Sequence, residues 1–223
     1  MLNLLIIVIL SYLIGSIPTS ILMAKSVKGI DIRKHGSGNA GGTNVFRVLG
    51  WKYGVTTILL DALKGAVAVI LISRLYLGDF PFPNATPFDD FTLVQIIAGL
   101  SAVVGHIWTV FADFKGGKGI ATSLGFLIAI ITVDMLLALA VFFIVVTISR
   151  YVSLGSIAAA TSVPLIMIVR ENVFHVDIVG YHTILPFAIL LALLVMYTHR
   201  ANIGRLLKGS ESQIKIFKKH KNK

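Results

Sequence analysis

Apolar runs long enough to cross a bilayer, each bounded by a short polar segment, dominate this chain and leave few folds open to it. A spanning helix needs about 20 apolar residues, with roughly 17 to 25 tolerated. Leu2 to Ala24, Tyr53 to Leu77, Thr92 to Phe111 and Ser153 to Val169 meet that length, and Ile184 to Thr198 does so when Tyr181 and His182 begin it. Of 223 residues, 56% are hydrophobic and only 13% charged, too apolar for an ordinary soluble domain. The expected class is an all-α polytopic integral membrane protein, a single domain over residues 1–223 with a basic tail from about 200. The amino-terminal run has no basic n-region and no small-residue cleavage site, so it reads as a retained span rather than a signal peptide.

Ile120 to Ser149 is too long for one span and short for two, and the basic residues decide between them. Lys25, Lys28, Arg33, Lys34, Arg47 and Lys52 face one acid, Asp31, in the first connection, which the positive-inside rule puts in the cytoplasm. The next connection, Gly78 to Phe91, holds Asp79, Asp89 and Asp90 and reads as external. The tail carries Arg200, Arg205, Lys208 and the lysines from Lys215 to Lys223, so it belongs inside, with Lys215 to Lys223 as a lipid-surface anchor. One helix through Ile120 to Ser149 would put that tail outside. Two helices, broken near Thr132 to Asp134 and each of roughly 13 to 15 residues, about 20 to 23 Å long, restore the pattern. The expectation is seven transmembrane helices with the amino terminus outside and the carboxy terminus inside. Four segments then face the cytoplasm: Lys25 to Lys52, Asp113 to Gly119, Arg150 to Ser153 and the tail.

Polar chemistry is concentrated in those segments. Phe114 to Gly119 reads FKGGKG, and bare backbone between Lys115 and Lys118 suits a cationic nest for a phosphate. It is not a nucleotide-binding P-loop, because Ala112 and Gly119 stand where that motif needs glycine and a hydroxyl. The first connection reads HGSGNAGGTN followed by Arg47. Its G-x-G-x-x-G spelling follows a membrane helix rather than a strand, so no dinucleotide site is implied. Ser37, Gly38, Asn39, Thr43 and Asn44 nevertheless supply small neutral donors, and Arg47 is a bidentate partner for phosphate or carboxylate.

Asp61 and Lys64 share a face in the second span, as an internal ion pair or as part of a site. His106 closes the third span about two turns before Lys115. Ser153, near Arg150, either caps a helix or faces a ligand. In the tail, His199, Asn202 and Arg205 recur at three-residue spacing and share one helical face. The net charge of +10 therefore reflects one membrane face and not a nucleic-acid partner. The chain has no cysteine, which excludes disulfides, thiolate metal sites and a cysteine acyl-enzyme. Acids near the basic face are too scattered for a metal site, and no cofactor is implied.

GSGNAGGTNVFR, GHIWTVFADFKGGKGIAT and HRANIGRLLKGSE, in this order, resemble the bacterial acylphosphate-dependent glycerol-3-phosphate acyltransferases, the PlsY family, over nearly the whole chain. The resemblance implies a multi-pass enzyme of the bacterial inner membrane with its site facing the cytoplasm, acting in phospholipid synthesis. It would transfer an acyl group from acyl phosphate to the sn-1 hydroxyl of glycerol 3-phosphate, giving lysophosphatidic acid and inorganic phosphate. It implies catalytic roles for Ser37, Arg47, Lys118, His199 and Asn202, contacts to glycerol 3-phosphate from Gly116, Gly117 and Lys118, and support of the tail by Glu211. Gly38, Asn39, Thr43, Asn44, Lys64, His106, Lys115, Ser153 and Arg205 complete the candidate binding set, with Asp61 structural. Thr109 stands where the family often has proline and Gly42 where alanine is usual.

An acyl phosphate is already an activated anhydride, so the expected chemistry is direct attack by the glycerol hydroxyl with His199 or a substrate phosphate as base. None of the six histidines has Asp five residues later, which argues against the H-x-x-x-x-D acyltransferases. The expected partners are the two substrates and membrane lipid, with a monomer as the simplest unit. A membrane carrier for an organic phosphate is the alternative reading, although polar motifs crowd one face only.

Overall fold

The computed structural model describes residues 2–76, 83–85, 90–178 and 180–213. Most of the expected Gly78 to Phe91 connection and the Lys215 to Lys223 anchor lie outside them. Ten α-helices are described, and no strand: α1 (Leu2–Ser16), α2 (Thr19–Lys28), α3 (Gly42–Leu49), α4 (Trp51–Ile70), α5 (Asp90–Ile107), α6 (Ile120–Ile128), α7 (Thr132–Ser149), α8 (Val152–Asn172), α9 (Tyr181–Thr198) and α10 (Arg200–Leu207). Six stretches are long and apolar enough to span a membrane: Leu2–Lys28, Trp51–Leu75, Asp90–Ala112, Thr132–Ser149, Val152–Asn172 and Tyr181–Thr198. Their outward residues, among them Leu13, Leu59, Ile144 and Leu193, form the exposed apolar belt expected of a lipid-facing surface.

The first apolar run is two helices, not one. Pro18 has no N–H to continue the ladder, and α1 ends at Ser16. The carbonyls released at the break are taken up by distant residues: Thr109 Oγ1 donates to Ser16 O, and Lys64 Nζ donates to Ile17 O at 3.0 Å.

Ile120 to Ser149 also divides unequally, into helices of 9 and 18 residues rather than two of similar length. The break falls at 129–131, ahead of Thr132, because the polar residues open α7 instead of separating the helices. Asp134 sits in the first turn of α7, where the helix dipole favours an acid, and Arg170 near the end of α8 pairs with it at 2.7 Å. At 9 residues α6 is about 13 Å long, well short of a bilayer core.

Helix α6 compensates by packing closely on α4. A Cβ at Gly65 would lie 2.1 Å from Thr122 O, and one at Gly125 would lie 1.9 Å from Ala62 O. Each glycine thus admits the backbone of the other helix, the small-residue contact of membrane helix pairs. On one side α1 packs against α5 and α4; on the other, α7, α8 and α9 form an up-and-down series. A shared core of Val103, Phe126, Leu127, Met135, Met167, Tyr181 and Leu191 joins the halves through α5 and α6.

Four non-spanning segments meet at one end of the bundle. Arg33 Nη1 donates to Ala112 O at 3.1 Å, Arg47 Nη2 to Ser212 O at 3.0 Å, and Ser153 Oγ to Glu211 at 2.8 Å. Lys118 Nζ donates to Asn202 Oδ1. Helix α6 leaves from this end and α7 returns to it, so the basic segments expected on one face do lie together.

Candidate active site

The loop from His35 to Gly41 has almost no side-chain bulk, and Asn44 holds its shape. Buried in the first turn of α3, Asn44 donates through Nδ2 to the carbonyls of Ile32, His35 and Asn39 at 2.9 to 3.1 Å and accepts from the Ser37 amide at 2.8 Å. Its hydrogen-bonding capacity is spent on the loop, so Asn44 shapes the site rather than standing free for a ligand. The loop and α3 then turn Ser37, Asn39, Thr43 and Arg47 toward a cavity of about 450 Å³.

The other wall of the cavity mouth is a relay of charged and amide groups. Glu211 accepts from Ser153 Oγ at 2.8 Å and Asn202 Nδ2 at 2.7 Å through one oxygen, and from Arg205 Nε at 2.6 Å through the other. With its Nδ2 so engaged, Asn202 presents its oxygen to Lys118. Burial works against the charge of Glu211, but the hydrogen bonds from Asn202, Ser153 and Arg205 hold its carboxyl below the usual range. Burial pushes the Lys118 ammonium down to about 8; Glu211 opposes the shift, and Arg205 and Arg47 add to it. Arg47 is also lowered by burial, and its Nε is buried with no hydrogen-bond partner among the described residues. His199 is pushed down to about 4, chiefly by burial and then by Lys118, so its ring is neutral. Its Nδ1 lies 2.8 Å from Val195 O; a carbonyl only accepts, so Nδ1 carries the proton and Nε2 is left as an acceptor.

Three helices also begin at this mouth. Gly42 and Thr43 open α3, Ile120 and Ala121 open α6, and Val152 and Ser153 open α8, and all line the cavity. The first amides of a helix have no acceptor within it, and its dipole is positive at that end. Below the mouth the cavity is apolar, walled by residues such as Ile58, Leu124, Phe142, Ala159 and Leu191.

Several expected ligands lie elsewhere. Gly116 and Gly117 do not form an open nest: their amides donate to Ile107 O at 3.0 Å and His106 O at 3.1 Å, which caps the end of α5 and presses the loop onto it. A Cβ at Gly117 would lie 2.2 Å from His106 Nε2. Lys115 follows the turned residues Asp113 and Phe114, both with positive φ, and is exposed. Gly38 lies on an exposed turn with φ +73°, and Arg205 reaches the site only through Glu211.

Lys64 belongs to a second cluster. Asp61, 1% exposed, accepts from Thr19 Oγ1 at 2.5 Å and lies 2.9 Å from Lys64 Nζ and 3.4 Å from His106 Nδ1. Asp61 and His106 border the main cavity, whereas Lys64, Gly116 and Gly117 line a small neighbouring void of about 10 Å³. The residues that sequence reasoning missed are Thr19 and the helix starts at Gly42, Ile120 and Val152. A glycine or polar residue just before each apolar run was the available signal for the helix starts; nothing local marks Thr19 as a partner of Asp61.

The sequence profile described as glycerol-3-phosphate acyltransferase matches residues 5–209. The chain belongs to the glycerol-3-phosphate acyltransferase family. Curated members named glycerol-3-phosphate acyltransferase from Chlorobium phaeovibrioides and Chlorobaculum tepidum are each 46% identical, over 99% of this chain and 100% of theirs. Two crystal structures of PlsY (YgiH), an integral membrane glycerol 3-phosphate acyltransferase, superpose on it. The glycerol 3-phosphate form has a TM-score of 0.78 at 38% identity, and the lysophosphatidic acid form 0.76 at 39%, each over 95% of both chains. The family-level expectation from the three motifs is thus met, and a multi-pass helical membrane protein is the common architecture.

Proposed function

We propose that this chain transfers a fatty acyl group from acyl phosphate to the sn-1 hydroxyl of glycerol 3-phosphate, releasing lysophosphatidic acid and inorganic phosphate. One observation carries the reading: an apolar cavity of about 450 Å³ opens onto a mouth lined by Arg47, Lys118 and the starts of three helices. The apolar part suits the acyl chain of the donor. Arg47, with its unpartnered Nε, Lys118 and the starting amides of α3 and α6 suit the phosphates of donor and acceptor.

The hydroxyl oxygen of glycerol 3-phosphate attacks the acyl carbonyl carbon. A new ester C–O bond forms, the C–O bond to phosphate breaks, and its electron pair leaves with the phosphate. Cations already in place around the carbonyl oxygen and the leaving phosphate lower the barrier without rearrangement. Neutral His199 accepts the hydroxyl's hydrogen bond at Nε2 and orients it. Its weak basicity directs the proton onward to a phosphate oxygen of the substrate, so no acyl-enzyme is needed. Ser37 supplies a further hydroxyl at the mouth, and Glu211 aligns Asn202 and hence Lys118. The basic end of the bundle faces the cytoplasm of a bacterial inner membrane, as the positive-inside bias supports. Seven passes follow when the short α6 is counted, and a single copy suffices because one chain lines the whole cavity.

The test is the donor. Purified protein given glycerol 3-phosphate is expected to make lysophosphatidic acid and phosphate in equal amounts from acyl phosphate; use of acyl thioesters alone would overturn the donor assignment. A labelled donor added without acceptor should leave no acyl group on the protein, and a trapped adduct would contradict direct transfer.

A further inference from the structure

The far end of the cavity has a floor, and its position follows from the shortness of α6. The chain leaves α6 at Ile128 and turns through 129–131, where Ile131 is 5% exposed, before α7 begins. Ile131 packs in the same buried core as the residues at this end, and the cavity lining stops at Leu127 on α6 and Met135 on α7. The deepest lining residues come from four different helices: Leu127 of α6, Met135 of α7, Val163 of α8 and Ala188 of α9. All are nearly fully buried, at 7%, 7%, 4% and 3% exposed, and all belong to the main core. Above them the cavity is kept open by small side chains, Ala159 and Ala160 on α8 and Ala192 on α9. At 1.5 Å per residue, Ala188 lies about 16 Å along α9 from His199, and Val163 about 15 Å along α8 from Ser153. The polar mouth and the floor are therefore separated by a fixed length on two independent helices.

We propose that Met135 and Ala188 set the acyl-chain length that this protein accepts, with Met135 closing the floor and the small methyl side chain of Ala188 leaving space for the last carbons. This rests on the reading that the acyl chain occupies the apolar cavity. A chain that stops short leaves a void, and one that runs past the floor must displace packed core. Each mismatched methylene in an apolar pocket changes kcat/KM by roughly tenfold or more. Methionine has the conformational freedom to fill part of a shorter chain's void, so the cut-off is steeper on the long side than on the short side.

The experiment is a chain-length series from ten to eighteen carbons, run on the full chain as acyl phosphates and, in parallel, as acyl thioesters. Lysophosphatidic acids of the same lengths give a second length profile by thermal shift, without turnover. Wild type should show an upper cut-off. Met135→Ala should raise the ratio of long-chain to short-chain kcat/KM by about tenfold, and Ala188→Phe should lower it by about tenfold or more. Leu193→Phe, at an exposed lipid-facing position, should leave the profile unchanged. Wild type with no upper cut-off, or a Met135→Ala or Ala188→Phe profile within twofold of wild type, overturns the proposal. If thioesters alone turn over, the donor assignment fails while the length profile still tests the floor; if either variant fails to fold, the wild-type cut-off and the other variant decide.

Discussion

Two charged clusters lie side by side at the basic end of the bundle, and they are built on opposite plans. Around Asp61, every charge is matched within the protein: Lys64, Thr19 and His106 face the carboxylate, and Lys64 also takes the carbonyl released by Pro18. Around Lys118, among the described residues, cations outnumber the one acid, Glu211, and the Arg47 Nε has no partner. A matched buried pair holds helices in place and leaves little for a ligand to gain. Buried cations left partly unmatched are costly to fold, and an anion that enters recovers that cost. The clusters share cavity-lining residues, so position alone does not separate them; the balance of donors and acceptors does.

The largest effect is expected from Lys118→Ala, with a fall of about 10² to 10³ in kcat/KM as a cation at the reacting phosphate is lost; steady-state assays with both substrates check it. Loss of less than threefold would make the Lys118 cluster as self-contained as its neighbour. Asp61→Asn should act on the fold instead, leaving Lys64 buried without a counter-charge at a cost of about 3 to 5 kcal/mol, measured by unfolding in detergent. Unchanged stability there would remove the distinction from the other side.

The pH dependence is intermediate in size. Burial lowers the Lys118 pKa to about 8, so the free protein loses this cation as pH rises through that value, and kcat/KM should fall above it. Between about 8 and the ordinary lysine range the unfolded chain binds the extra proton, so this group's contribution to stability rises with pH in the same window. Lys118→Arg should remove the alkaline fall in kcat/KM, and a fall that persists unchanged would assign it to another group. The smallest effect is expected at Lys115, three residues away but exposed: Lys115→Ala should leave stability within about 0.5 kcal/mol and KM within twofold.

The contrast between these two lysines also marks how far the amino-acid sequence could be read. FKGGKG announces an anion site, yet its glycine amides cap α5, and only Lys118 turns into the cavity, because the two positive-φ residues before Lys115 send it outward. Apolar length and basic bias anticipated the helices and the meeting of the four polar segments. They did not reveal that Thr132 and Asp134 would open α7, since that depends on Arg170, 36 residues further on. Likewise, the three-residue spacing of His199, Asn202 and Arg205 suggested one working face, whereas Arg205 is tied to Glu211 and positions Asn202. Thr109 donates to Ser16 O, a bond that the proline expected there from the family resemblance could not make. Local pattern carries the elements; pairings across the chain decide which polar residues remain available.

The division between the two clusters is tested most directly by the thermal shift that glycerol 3-phosphate produces in wild type, Lys118→Ala and Asp61→Asn. A ligand that binds only the folded protein raises its midpoint by mass action. The expected result is a clear rise for wild type, none for Lys118→Ala, and a rise of wild-type size from a lower starting midpoint for Asp61→Asn. A full shift in Lys118→Ala, or its loss in Asp61→Asn, would contradict the assignment of binding to one cluster and structural support to the other.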